Sequence, residues 1–168
     1  VSDLRERLLA RERPSVTYPL RVASVSETSE AEAELAAAKR SLRIWEAQDT
    51  PDRAKLAKAK KTVERAQAAR DACYAEIVLR ALPVRDFEKL QDAYPEPEDG
   101  EDTAARREAD EAYLRAVFHA SVDSDLTEVE WDQVIAENLS TGERNELFQL
   151  ALGINGRTRA PGGGVPKG

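Results

Sequence analysis

Two stripes of apolar and small residues, spaced alternately by three and four positions on either side of a Thr50-Pro51 break, constrain this chain more than anything else in it. Ala31, Leu35, Ala38, Leu42 and Trp45 form the first; Leu56, Ala59, Val63, Ala66, Arg70, Cys73 and Ile77 form the second. Such alternation holds side chains on one helix face and is the seam of a coiled coil. The expected helices run from a cap at Ser26 or Ser29 to about Gln48, and from about Asp52 to Leu82. With so short a break they should fold back as an antiparallel hairpin over residues 27–82. Arg70, a charge in a seam position, is expected to mark the end of the pairing or to carry its head out to water.

Aromatic residues make up only 5% of the 168 residues and charged residues 34%, so apolar contacts must come mainly from Leu, Val, Ile and Ala, which suits helices better than a β-sandwich. The fold class expected is all-α: an antiparallel coiled-coil hairpin, a small bundle of short helices, and a short extended N-terminal segment. That segment closes residues 1–26, where DLRERLLARE places Leu4, Leu8 and Leu9 on one face of a short helix ended by Pro14. From Ser15 to Ser26, Val16, Tyr18, Leu20 and Val22 alternate with Thr17, Pro19 and Arg21. Pro19 restricts such a strand to a sheet edge, paired with a symmetry mate or lying extended across helices.

Residues 83–156 read as an acidic helical module. Val84, Phe87 and Leu90 share one face of a helix stopped by Tyr94-Pro95, and a Pro-rich acidic loop, PEPEDGED, follows. Thr103 opens a helix to about Val122 with Ala109, Tyr113, Ala116, Val117 and Ala120 facing inward. The last two helices carry their own punctuation: Thr127 with Glu130 and Ser140 with Glu143 are capping-box pairs, and Asn155-Gly156 is a stop. Residues 157–168, RTRAPGGGVPKG, are expected to form a flexible basic tail.

Net charge is −7, but unevenly placed: residues 1–83 sum to +3, residues 84–155 to −13 and the tail to +3. An acidic half disfavours phosphate backbones; it reads first as a solvated face that keeps the protein in solution, and also suits a basic partner or self-association against the chain's own basic half. Lys55, Lys58, Lys60 and Lys61 are read as a solvated helix face, with acids flanking them and no aromatic residues interleaved. The single cysteine, Cys73, excludes an intramolecular disulfide and a Cys-rich zinc site, and is read as a small buried hydrophobe in a cytoplasmic protein. No apolar run approaches the length of a membrane span, and no signal-peptide pattern opens the chain.

Catalytic patterns are missing. The one histidine, His119, has no Ser or Cys nucleophile in a recognisable motif near it and reads as a packed helix residue. Asp123, Asp125, Thr127 and Asp132 resemble a calcium loop only in part, because Glu128 stands where glycine is required and Val134 where a bidentate carboxylate is. Gly162 to Gly164 lacks the strand, helix and Ser/Thr of a phosphate loop. The expectation is a non-enzymatic binding module with no cofactor and no metal.

From Ala81-Leu82-Pro83 through Phe87, Glu88 and Leu90, then Tyr94 to Pro97, the small-residue helix end at Ala116 to Ser121, the Trp-containing helix Leu126 to Leu139, the LSTGERNEL turn and the end at Asn155, the chain resembles the tail assembly chaperones of long-tailed bacteriophages of actinobacterial hosts. The likeness covers roughly residues 75–157. It implies a small helical chaperone that coats the tape-measure protein before tail-tube protein polymerises, acts in the host cytoplasm, and is absent from the mature virion. It further implies a longer product made by programmed frameshifting, for which Gly162-Gly163-Gly164 or Pro166-Lys167 could be encoded by slippery repeats. Tail-tube protein and further copies of the chain are additional expected partners; nucleic acid and membrane are not. The residues expected to meet the client, through apolar grooves suited to an amphipathic helix, are Phe87, Tyr113, Trp131, Leu147 and Phe148, and each of them equally suits the module's own core. The contrasting class is a structural virion protein, such as a head-tail connector or completion component. A helix-turn-helix regulator built on Thr127 to Leu152 is disfavoured by that segment's acidity.

Overall fold

The computed structural model describes residues 2–50, 52–96 and 102–156. Seven helices and three strands follow in the order α1 (Ser2–Leu9), β1 (Ser15–Arg21), α2 (Val25–Glu46), α3 (Arg53–Asp71), β2 (Tyr74–Arg80), α4 (Val84–Ala93), α5 (Thr103–Ser121), β3 (Val122–Asp123), α6 (Glu128–Glu137) and α7 (Thr141–Asn155). The protein is mostly helical but not all-α, because the strands form one sheet in the order β1-β2-β3.

The sheet corrects two expectations. Residues 74–80 are a strand, whereas the seam spacing through Cys73 and Ile77 extends the second helix to Leu82. Tyr, Ile and Val in YAEIVLR favour extended backbone, and a short apolar run fits either period until a neighbouring strand offers its hydrogen bonds. That neighbour is β1, which pairs within the chain rather than with a symmetry mate. Pro14 O accepts from Ala81 N at 2.8 Å at one end, and Cys73 O accepts from Val22 N at 2.9 Å at the other, so the two strands run antiparallel. β1 is an edge, where Pro19, lacking a donor, is tolerated. Leu20 is buried, but Val22 lies beyond the strand and is exposed, so the alternation stops one residue pair early.

The chain divides into two compact units, one drawn from Val1–Tyr18 with Ile77–Gly168 and the other from Pro19–Glu76.

In the second unit α2 and α3 pack along one another. Leu35 and Ala38 meet Ala66 and Val63 in its small core, and nearer the turn Lys55 Nζ lies 5.1 Å from the centroid of the Trp45 ring, so the helices run in opposite directions. The seam residues are the covered ones: Leu35, Ala38, Ala59, Ala66 and Cys73 are buried, and Ala31, Leu42, Trp45, Leu56 and Val63 half-buried. The cap of α2 is Ser24, not Ser26 or Ser29. Its Oγ accepts from Glu27 N, while the Glu27 carboxylate accepts from Ser24 Oγ at 2.6 Å and from Ser24 N at 2.9 Å; the hydroxyl bond first, then the backbone one, hold that carboxyl below its ordinary range. Asp52 caps α3 by accepting from Ala54 N and Lys55 N. Arg70 stands one residue before the end of α3, and its guanidinium stacks 4.6 Å over the Tyr74 ring.

In the first unit α5 packs against α7, and α4 against α5. β3 joins β2 antiparallel through Val78 with Asp123 and Leu79 with Val122. Both expected capping boxes are present: Thr127 Oγ1 accepts from Glu130 N and Ser140 Oγ from Glu143 N, with the reciprocal carboxylate bonds made. α4 ends at Ala93, as Tyr94-Pro95 requires, and α7 ends at Asn155, followed by Gly156 at φ 96°, a left-handed conformation that favours glycine. On α5 the inward face turns out to include Phe118 and Ser121, both buried, and to leave Ala120 exposed. Most of the PEPEDGED loop and the tail from Arg157 lie outside the described residues.

Candidate functional site

The five residues expected to meet a client all lie in one place, and that place is the interior of the first unit. Phe87 from α4, Tyr113 from α5, Trp131 from α6 and Leu147 and Phe148 from α7 are 6% exposed or less. Phe118 joins them: its ring meets Trp131 edge-on at 5.2 Å and Phe148 at 5.7 Å. Phe118 is not among the inward residues expected of α5, although it directly follows Val117, which is. Trp131 Nε1 donates to Ser124 Oγ at 2.8 Å, which satisfies the indole where it is buried. Burying a side chain such as Leu147 contributes about 1.5–3 kcal/mol, so these residues hold α4 to α7 together. A client could touch them only after those helices part.

Asn155 closes the same unit. Its Nδ2 donates to Ser121 Oγ at 2.9 Å and to Ala151 O at 2.8 Å, and its Oδ1 accepts from Leu82 N at 2.7 Å. The sequence marks Asn155 as a helix stop; its side chain also ties the end of α7 to the end of α5 and to the approach to α4.

The polar groups of α5 to α7 are bonded to one another. Arg115 Nη1 donates to Asp132 Oδ1 at 2.9 Å, and Glu111 Oε1 accepts from both Arg115 and Arg144. His119 Nε2 lies 2.9 Å from the same Asp132 oxygen. Partial burial pushes the Asp132 carboxyl up, but the hydrogen bonds from His119 and Arg115 more than offset this and hold it below the usual carboxylate range. His119 Nδ1 is buried with no hydrogen-bond partner among the described residues. With Nε2 on a carboxylate and Nδ1 sealed off, the ring is placed to lock α5 to α6 rather than to exchange a proton with a bound molecule.

The remaining sequence candidates are likewise absorbed into the fold. Cys73 is buried, its Sγ 3.5 Å from Ala69 O. Asp123, of the imperfect calcium pattern, accepts from Arg80 at 2.9 Å. Among the described residues no group of three His, Cys, Asp or Glu side chains is arranged to hold a metal ion, and no helix is long and apolar enough to cross a membrane.

The first unit also leaves several apolar side chains uncovered. On α1, Leu4 is 62% exposed, Leu8 60% and Leu9 76%. Leu4 and Leu8 stand one turn apart, with Leu9 beside them, and the intervening residues are charged. Val129 and Leu126, at the start of α6, are also exposed. No family model, curated protein or solved structure matches this chain.

Proposed function

We propose that the chain is a non-enzymatic helical binding protein, and specifically a tail assembly chaperone of a long-tailed bacteriophage that keeps the tape-measure protein soluble until the tail tube polymerises. The observation that carries the reading is the exposed Leu4, Leu8 and Leu9 face of α1. A helix face of this kind receives an amphipathic client helix through anchors at i, i+3, i+4 and i+7. The charge of −13 over residues 84–155 favours a basic client and steers its approach. Phe87, Tyr113, Trp131, Leu147 and Phe148 fill the core of the same unit and hold α4 to α7 together. In the second unit, the three-four spacing and small seam residues support the finer reading of α2 and α3 as an antiparallel coiled coil. Residency in the host cytoplasm, absence from the finished virion and a frameshifted longer product belong to the same proposal.

The test is capture of helical fragments of the tape-measure protein encoded beside this chain, using the full chain and a Leu4→Glu/Leu8→Glu variant. Both positions are exposed, so the variant should keep its circular dichroism spectrum and lose capture. Mass spectrometry of finished particles supplies the second arm: stoichiometric copies in the virion together with no capture would overturn the chaperone reading in favour of a structural component.

A further inference from the structure

One face of the α2–α3 pair is an open groove floored by Ala38 and Ala66, flanked by the small residues Ala37, Ser41, Thr62 and Ala69, and bordered by the charged side chains of Glu34 and Arg65. Except for the two floor residues and half-buried Thr62, these side chains are exposed. Small residues at this density permit another helix pair to approach closely. Ile44, three positions beyond Ser41 on the same stripe, is 66% exposed. The groove therefore asks what covers it.

Charge placement answers. Residues 25–35 of α2 carry Glu27, Glu30, Glu32 and Glu34 and no base, while residues 53–61 of α3 carry Arg53, Lys55, Lys58, Lys60 and Lys61 and no acid. Because the two helices run in opposite directions, the acids collect at the open end and the bases at the turn. Residues 36–46 sum to +2 and residues 62–71 to zero, giving −4 at the open end and, with Asp49 and Asp52 counted, +5 at the turn. A face with opposite charges at its two ends is complementary to itself when a second copy lies on it reversed, and repels itself when the copy lies parallel.

We propose that this groove is the interface with a second copy of the chain, packed face to face with the two turns at opposite ends to make a four-helix bundle. A two-fold axis across the groove then sets α2 antiparallel to the partner's α2. Helices of this length cover a footprint of about 500 Å² per copy, so about 1,000 Å² in all, at the lower limit for a specific interface. The dimer is thus expected to be reversible, and salt weakens it by screening the end charges. The inference stands independently of the chaperone reading.

Sedimentation equilibrium on the full chain tests it. The expected result is a dimer at low salt that shifts toward monomer as salt rises. Glu30→Lys/Glu34→Lys, at exposed positions, should weaken association by more than about tenfold. Ala37→Trp, which fills the groove, should do the same, with helix content unchanged in both. Ala37→Cys, near the two-fold axis, should oxidise to a disulfide-linked dimer, and Gln48→Cys, at the turn, should not. A chain that stays monomeric at all concentrations overturns the proposal, as does a dimer indifferent to both interface variants or one linked through Gln48→Cys. A monomer that captures a client helix through Ala37 would assign the groove to that client and equally overturn it.

Discussion

Replacing Asn155 by alanine should destabilise the protein out of proportion to the size of the change. The side chain makes three bonds, to Ser121 Oγ, to Ala151 O and from Leu82 N, each between 2.7 and 2.9 Å. Ser121 is 2% exposed, and Leu82 is half-buried. Truncation leaves the Leu82 N–H without its acceptor and the Ser121 hydroxyl without its donor. An orphaned buried group such as the Ser121 hydroxyl costs about 1–3 kcal/mol and the half-buried Leu82 N–H less, about 1 kcal/mol, while Ala151 O still serves the helix ladder, so the loss should total about 2–4 kcal/mol. With a urea dependence of about 2 kcal/mol per M, the midpoint of unfolding followed by circular dichroism should fall by about 1–2 M. Asn155→Asp refines the argument. It keeps the acceptor for Leu82 N but sets a carboxylate against the oxygens of Ser121 and Ala151, an arrangement that raises its folded pKa. The cost is therefore present above that pKa and relieved below it, where the protonated acid can donate again. A shift for Asn155→Ala no larger than that for exposed Asn138→Ala would refute the reasoning.

Trp131→Ala should cost about 3–5 kcal/mol by opening a cavity beside Phe118, read as a drop in melting temperature; a destabilisation under about 1 kcal/mol would return Trp131 to the role of a contact residue. Tyr18 donates to Glu146 Oε2 at 2.7 Å, and burial, then that bond and the nearby carboxylates, push its phenol up to about 12. Spectrophotometric titration should show a late-ionising phenol that Tyr18→Phe removes. Because the raised value favours the neutral folded form, stability should be lost as pH climbs above the ordinary tyrosine value near 10 toward 12, and Tyr18→Phe should remove that loss. Asp132 behaves in the opposite sense: its carboxyl is held below the usual range, so its contribution is present above the unfolded value and lost as pH falls through the folded one. Asp132→Asn should flatten the stability profile below about pH 4, measured by urea unfolding at stepped pH. Thr127→Ala and Ser140→Ala should each cost about 1 kcal/mol through loss of a helix cap, additively, since the two caps share no partner.

Much of this architecture is legible in local chemistry alone. The boxes at Thr127 and Ser140, the stops at Tyr94 and Asn155, and the seam from Ala31 to Trp45 with its counterpart from Leu56 are set by residues a turn or less apart, and each appears where the chain implies it. Residue identity does not decide what depends on distant partners. Residues 74–80 carry a spacing that suits a helix, and become a strand because residues 15–21, more than fifty positions away, supply hydrogen bonds that a helix there would forgo. Burial separates the candidate residues in the same way. Phe87, Tyr113, Trp131, Leu147 and Phe148 suit a core or a binding surface equally by composition, and only the convergence of four helices shows that they fill a core. The leucines of α1 have the composition of a core, and only the absence of a covering element among the described residues leaves them as a surface. Helix starts, stops and faces follow from neighbours along the chain. Strand pairing, and whether an apolar face ends inside or outside, follow from which distant segments arrive to cover it, and that only the tertiary structure decides.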